Sequence, residues 1–219
     1  VSHELRSPLA RLEAAIGLAR QRPERLADTL DRIEREAVRL DRLVGELLTL
    51  SRMEAGMARA ADEEIDLVEL GREVAEDARF EAQATGRQVE FLGAGEARVI
   101  ANVELLHRAL ENLVRNAVKF TDVGSTVAVE IARSAQADGD ANRLAVTVSD
   151  RGPGVPEGEL QAIFEPFFRS EARAKTAGFG LGLAIARRAI EAHGGRIRAR
   201  NRPDGGLQVE IVLPAVGRR

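Results

Sequence analysis

Along the N-terminal quarter of the chain, apolar residues recur at alternating steps of four and three. Leu5, Leu9, Leu12, Ile16 and Ala19 make one such seam, and Leu26, Leu30, Ile33, Ala37, Leu40, Val44 and Leu47 make a second. That spacing belongs to a helix packed against other helices. Pro23 stops the first helix, and the second ends between Met53 and Gly56. Asp31, Arg32, Glu34, Arg35 and Glu36 fill the remaining faces. Two helices joined by a short loop pack antiparallel. Such a hairpin has too little core to stand alone, and its seam exceeds what one docking face requires. The pattern therefore predicts a symmetric four-helix bundle made by two chains.

Beyond Gly56 the periodicity becomes mixed. Residues 62–67 read as a short strand and 67–85 as a helix ended by Gly86. Residues 88–92 and 98–101 read as strands around the turn Gly93-Ala94-Gly95. Residues 102–120 are strongly helical, with Leu105, Leu106, Ala109, Leu110, Leu113, Val114 and Ala117 on the buried face. Strands follow at 126–132 and 144–148, a helix at 181–193 closed by Gly194-Gly195, and a last hairpin of 196–200 with 207–213. Helices and strands mix without strict alternation, which predicts an α+β sandwich, not a doubly wound sheet. The expected division is residues 1–58 and 59–219.

Composition narrows the partners. The formal net charge is −3, so no broad positive field invites nucleic acid. The chain has no cysteine, which excludes disulfides and thiolate metal sites. No apolar run is long enough to span a bilayer. The chain opens on Val1, almost on top of a histidine, and is expected to be a fragment of a longer protein whose missing part lies N-terminal.

Five stretches carry candidate chemistry. In Val1-Ser2-His3-Glu4-Leu5-Arg6-Ser7-Pro8-Leu9, an imidazole neighbours a carboxylate at the head of the first seam. His3 and Ser7 share a helix face, while Pro8 removes a backbone donor and should bend the helix. In Glu111-Asn112-Leu113-Val114-Arg115-Asn116-Ala117-Val118-Lys119-Phe120, two amides lie four apart with a lysine three beyond. Neutral amide oxygens suit a Mg²⁺ that bridges phosphates, and the lysine supplies a phosphate contact. Asp150-Arg151-Gly152-Pro153-Gly154 follows a strand: its glycines admit a ligand close to the backbone, and Asp150 can accept from an exocyclic amine. A plain turn would use the same residues. Ile163-Phe164-Glu165-Pro166-Phe167-Phe168-Arg169 gathers scarce aromatics, and Arg169, Arg173 and Lys175 read as a basic flap over phosphates. Gly178-Phe179-Gly180-Leu181-Gly182 opens a helix, where spaced glycines and the helix dipole make an anion site.

In this order the stretches resemble the H, N, G1, F and G2 boxes of sensor histidine kinases of two-component signalling. The detail is most similar to the envelope-stress, Cpx-type sensors. The resemblance covers essentially the whole chain. It implies a dimerisation and histidine-phosphotransfer hairpin followed by a Bergerat (GHKL-type) ATP-binding domain. It also implies a cytoplasmic fragment of a protein anchored in the bacterial inner membrane, working as a homodimer with a response regulator receiver domain. By resemblance His3 is the phosphoacceptor and Glu4 its acid–base partner. Asn116 would be the main Mg²⁺ ligand, with Asn112 in support. Lys119 and Arg169 would contact the phosphates of ATP, Phe120 would flank the adenine, and Asp150 would read its amino group beside Gly152 and Gly154. Gly178, Gly180, Leu181 and Gly182 would form the phosphate-side end of a lid. A free imidazole, with a pKa of about 6.5, is largely neutral at neutral pH and so nucleophilic.

Two residues depart from the family pattern. Ser7 stands where threonine or asparagine is usual, at a position tied to dephosphorylating the partner. Phe179 replaces the usual threonine between the first two glycines of the last motif. Two other functions fit part of the pattern. A Bergerat-type ATPase or anti-sigma serine kinase would need no His3 motif. A non-catalytic nucleotide-binding scaffold would not need Asn116, Lys119 and Asp150 together.

Overall fold

The computed structural model describes residues 2–21, 26–54, 62–134, 142–170 and 178–216, with the side chains of residues 2–5, 7 and 20 outside the described set. The chain divides into two compact units, Val1–Glu54 and Ala55–Arg219.

The first unit is the helical hairpin, α1 (Ser2–Gln21) and α2 (Leu26–Glu54). The helix runs through Pro8, which is buried. The face of α2 turned inward differs from the expected seam. Ile33, Leu40 and Leu47 are half-buried, as the seam predicts, but the buried positions are Thr29, Leu43 and Leu50. Leu26, Leu30 and Val44 keep 45%, 52% and 40% of their surface exposed. The apolar face is therefore wider than one seam, with Ile33, Leu40 and Leu47 shared by two flanks. One flank packs on α1, and the other, with Ala37, is exposed among the described residues. Glu36 was expected among the solvated charges. It is instead largely buried toward α1, where its Oε1 accepts from Arg11 Nε at 3.1 Å.

The second unit places three helices with a five-stranded sheet. Its elements are β1 (Glu63–Asp66), α3 (Leu67–Gln83), β2 (Gln88–Gly93), β3 (Arg98–Ala101), α4 (Val103–Phe120), β4 (Thr126–Arg133), β5 (Arg143–Ser149), α5 (Gly182–Ala192), β6 (Arg196–Asn201) and β7 (Leu207–Pro214). The strand order is β2-β4-β5-β7-β6, with β2 parallel to β4 and every other pair antiparallel. Val127, Val129, Ile131, Leu144, Val146, Val148, Val209 and Ile211 alternate inward along the central strands. Leu106, Leu110, Leu113 and Ile185, Ala189, Ile190 line the buried faces of α4 and α5. This is the α+β sandwich the pattern predicts.

The strands on either side of Gly93-Ala94-Gly95 do not pair with each other. β3 pairs with β1, setting Ile65 opposite Val99, so β2 is left to extend the main sheet beside β4. The polar turn expected at 136–140 lies outside the described residues.

Candidate functional site

The last turns of α4 collect the candidate residues of the second unit. The helix starts at Asn102, whose side chain accepts from Leu105 N–H at 2.9 Å, and its apolar stripe fixes which way it rolls. That roll buries Asn112 and leaves Asn116, Lys119 and Phe120 half-buried. The Lys119 ammonium sits 4.7 Å from the centre of the Phe120 ring, a cation–π contact.

Glycines let the other motifs come this close. A Cβ on Gly182, the first residue of α5, would lie 3.1 Å from Asn112 Oδ1, and one on Gly178 would lie 2.7 Å from Lys119 Nζ. A Cβ on Gly152 would overlap the Phe120 carbonyl oxygen. The turn after β5 is further tied to α4 by Arg151 N–H, which donates to Thr121 Oγ1 at 3.0 Å. Asp150 is 2% exposed, and its Oδ1 accepts from Gly152 N–H at 2.8 Å and Leu207 N–H at 3.1 Å. Phe167 N–H donates to Gly180 O at 2.9 Å, so the aromatic motif is joined to the glycine motif. Phe167 takes a left-handed backbone, φ 66°, to make that join. Among the described residues no side chain caps the first turn of α5 beyond Leu181, which suits an anion at its N–H groups. Phe179 is buried, so the bulky replacement points into the core. Arg187 of α5 holds Glu191 at 2.8 Å and Glu165 at 3.2 Å, and those bonds, Glu191 first, raise its pKa above the ordinary arginine value.

Residues 101–217 match the family of histidine kinase-, DNA gyrase B- and HSP90-like ATPases, and residues 1–56 match the His Kinase A phospho-acceptor domain. The chain belongs to the sensor histidine kinases. It is 39% identical to the sensor histidine kinase CpxA of Escherichia coli K12 over 217 residues, which is 98% of this chain and 45% of CpxA. It thus spans less than half the length of that relative. Among solved structures it is similar to full-length ShkA in complex with AMPPNP, at 28% identity and a TM-score of 0.73, covering 99% of this chain and 45% of the other. It is also similar to histidine kinase ThkA in complex with response regulator protein TrrA, at 27% identity and a TM-score of 0.76, covering 99% and 60%. The second unit is accordingly an ATP-binding domain of this kinase family.

The kinase motifs thus divide between the two units. Asn112, Asn116, Lys119, Phe120, Asp150, Gly152, Gly154, Gly178, Gly180, Leu181 and Gly182 all belong to the second unit, most of them meeting around α4. Arg169 is exposed at the edge of the described aromatic motif, while Arg173 and Lys175 lie outside the described residues. His3, Glu4 and Ser7 are on α1, and their side chains lie outside the described set. Sequence reasoning passed over Thr121, which is 1% exposed, and over Asn201 and Arg202, which reach the Asp150 turn from the β6–β7 hairpin. Thr121 adjoins the last phenylalanine of the amide motif, a position that could have flagged it. Asn201 and Arg202 looked like ordinary hairpin-turn residues. Among the described residues no helix is long and apolar enough to cross a membrane.

Proposed function

We propose that the chain is the cytoplasmic catalytic core of a sensor kinase that moves the γ-phosphoryl group of ATP to His3. An aspartate in the receiver domain of a response regulator then takes it. Residues 1–58 serve as the dimerisation and phosphotransfer hairpin and residues 59–219 as the catalytic domain. One observation carries this reading: Asp150, the Asn112–Asn116–Lys119 face and the glycine motif converge on the end of α4. The hairpin that bears the histidine precedes it in the same chain.

Each group has a task. The Asp150 carboxylate accepts from the adenine amine, and Phe120 flanks the base. Asn116, with Asn112 behind it, offers neutral oxygens to Mg²⁺, which when bound offsets the charge of the phosphates. Lys119 and Arg169 contact the phosphates, and the N–H groups around Gly178, Gly180, Leu181 and Gly182 hold their outer oxygens. The glycine approaches support the fit, since side chains at Gly178 and Gly182 would crowd Lys119 and Asn112, and one at Gly152 would push the Asp150 turn off α4. At His3 the unprotonated ring nitrogen attacks the γ-phosphorus, the bond to the bridging oxygen breaks, and ADP leaves. Glu4 stabilises the positive ring as it forms. Ser7 orients a water in a dephosphorylating reaction on the regulator. The open flank of α2 supports a homodimer, and the similarity to a kinase solved with its regulator supports that partner. The full-length protein is anchored in the bacterial inner membrane.

The test is incubation with labelled Mg-ATP. Acid-labile, alkali-stable label on the protein, absent from His3→Ala, is the expected result. Label that survives His3→Ala would overturn the reading, and phosphate release without protein label would favour an ATPase.

A further inference from the structure

The turn after β5 is held by side chains that no ATP contact requires. Asp150 N–H donates to Leu207 O at 2.9 Å, and Leu207 N–H returns to Asp150 Oδ1 at 3.1 Å. Arg202 Nη1 donates to the Asp150 carbonyl at 3.1 Å, while Nη2 is anchored on Asp204 Oδ2 at 2.8 Å. The neighbouring Asn201 clasps the far side of the same turn. Its Oδ1 accepts from Val155 N–H at 2.9 Å, and its Nδ2 donates to Val155 O at 2.6 Å and Glu157 Oε1 at 2.9 Å. Gly206 has φ 96° and lies so close to the Asp150 carbonyl that a Cβ would overlap it. A Cβ on Gly154, φ 69°, would lie 2.7 Å from Asn201 Oδ1.

We propose that Asn201 and Arg202 are positioning residues: they hold the Asp150 turn from both ends, aim its carboxylate and so set the preference for an adenine base. This deepens the reading of Asp150 as the adenine reader and rests on it. The turn contains two glycines, so its own backbone has many conformations to lose on ordering. A carboxylate discriminates between bases only if its oxygen stays within hydrogen-bond distance and angle of one amine. Oδ1 is committed to two backbone N–H groups, so wherever those groups go, the whole carboxylate turns with them. The Arg202 side chain is only 20% exposed, unlike an ordinary hairpin-tip arginine. Both residues reach the reader from consecutive positions at the end of β6. A displacement of that hairpin would therefore disturb both ends of the turn together.

The experiment compares ATP with purine riboside 5′-triphosphate, which lacks the 6-amino group, by calorimetric titration of the whole chain with Mg²⁺. Wild type should prefer ATP by about tenfold or more, since a hydrogen bond to a charged group contributes on that scale. Asp150→Asn should erase the preference. Asn201→Ala and Arg202→Ala should each lower it about threefold or more, with the affinity for the deaminated analogue held within about twofold. If the alanine variants fail to fold, Asn201→Asp, which removes both N–H donors of Nδ2, and Arg202→Lys, which gives up the guanidinium fork, should shift the ratio in the same direction. A ratio unchanged in the clamp variants, or a parallel loss for both nucleotides, would overturn the positioning role while leaving Asp150 as reader. Wild type without a preference, or Asp150→Asn that keeps it, would instead sink the reading of Asp150 and the proposal with it.

Discussion

A methyl group added at Gly152 and one added at Gly178 meet different obstacles. At Gly152 the obstacle is the Phe120 backbone carbonyl, which cannot swing aside. Gly152→Ala must push the Asp150 turn off α4, and is expected to cost about 1–3 kcal/mol of stability, read by urea unfolding. The same variant should weaken ATP binding at least about tenfold, since the displaced turn carries Asp150, the proposed adenine reader. At Gly178 the nearest atom is the mobile end of Lys119, so contact alone is cheap. The cost there comes from φ 147°, which an alanine adopts only under strain of about 1–3 kcal/mol. Gly178→Ala should therefore reduce nucleotide affinity and lower stability on the same scale as Gly152→Ala, which paired thermal melts would show. The amides and Lys119 were legible in the sequence because their spacing is local to one helix. The clamp was not, because Asn201 lies 46 residues from Val155 and Leu207 lies 57 from Asp150.

Helices make their contributions through faces and ends. His193, just past α5, accepts at Nε2 from Asn102 N–H at 2.9 Å, so its other nitrogen carries the proton and donates to Ala189 O at 2.6 Å. The ring thus latches the start of α4 to the end of α5. His193→Ala leaves the Asn102 N–H without that acceptor, and a loss of about 1–3 kcal/mol is expected in denaturant unfolding. Nothing in the sequence marked this histidine, because its partner lies on another helix and a lone imidazole has no pattern. In the hairpin the two flanks of α2 should respond differently. Leu43→Ala, at a fully buried position, should lower hairpin stability by about 2–5 kcal/mol. Leu30→Glu with Val44→Glu should leave the hairpin folded and weaken self-association, as sedimentation would report. The heptad spacing showed that α2 is a packing helix but could not separate the flanks, since Ile33, Leu40 and Leu47 serve both.

For the whole chain, the proposed function puts nucleotide capture and phosphoryl acceptance on the two separate units of structure. His3→Ala should accordingly bind ATP as tightly as wild type while taking no label, a separation that titration and autoradiography measure on one preparation. The α+β class followed from the mixed periodicity, but the strand order did not. Strand β2 precedes β4 by a long stretch of chain, and short-range patterns carry no record of which edge a strand will join.

That β2–β4 pairing is parallel, and the chain between the two strands includes α4. Parallel partners cannot be joined by a tight turn, and contacts between distant residues form slowly because the intervening loop must first be closed. The helix bearing Asn112, Asn116 and Lys119 is thus part of the crossover itself. During refolding, its secondary structure should appear early, whereas the capacity to retain a fluorescent ATP analogue should emerge only with the rate of the slowest sheet-forming phase. Stopped-flow traces in which nucleotide capture runs ahead of that phase would refute this order. A newly made chain would then have a helix before it has a binding site, and would be inert toward ATP until its sheet is complete.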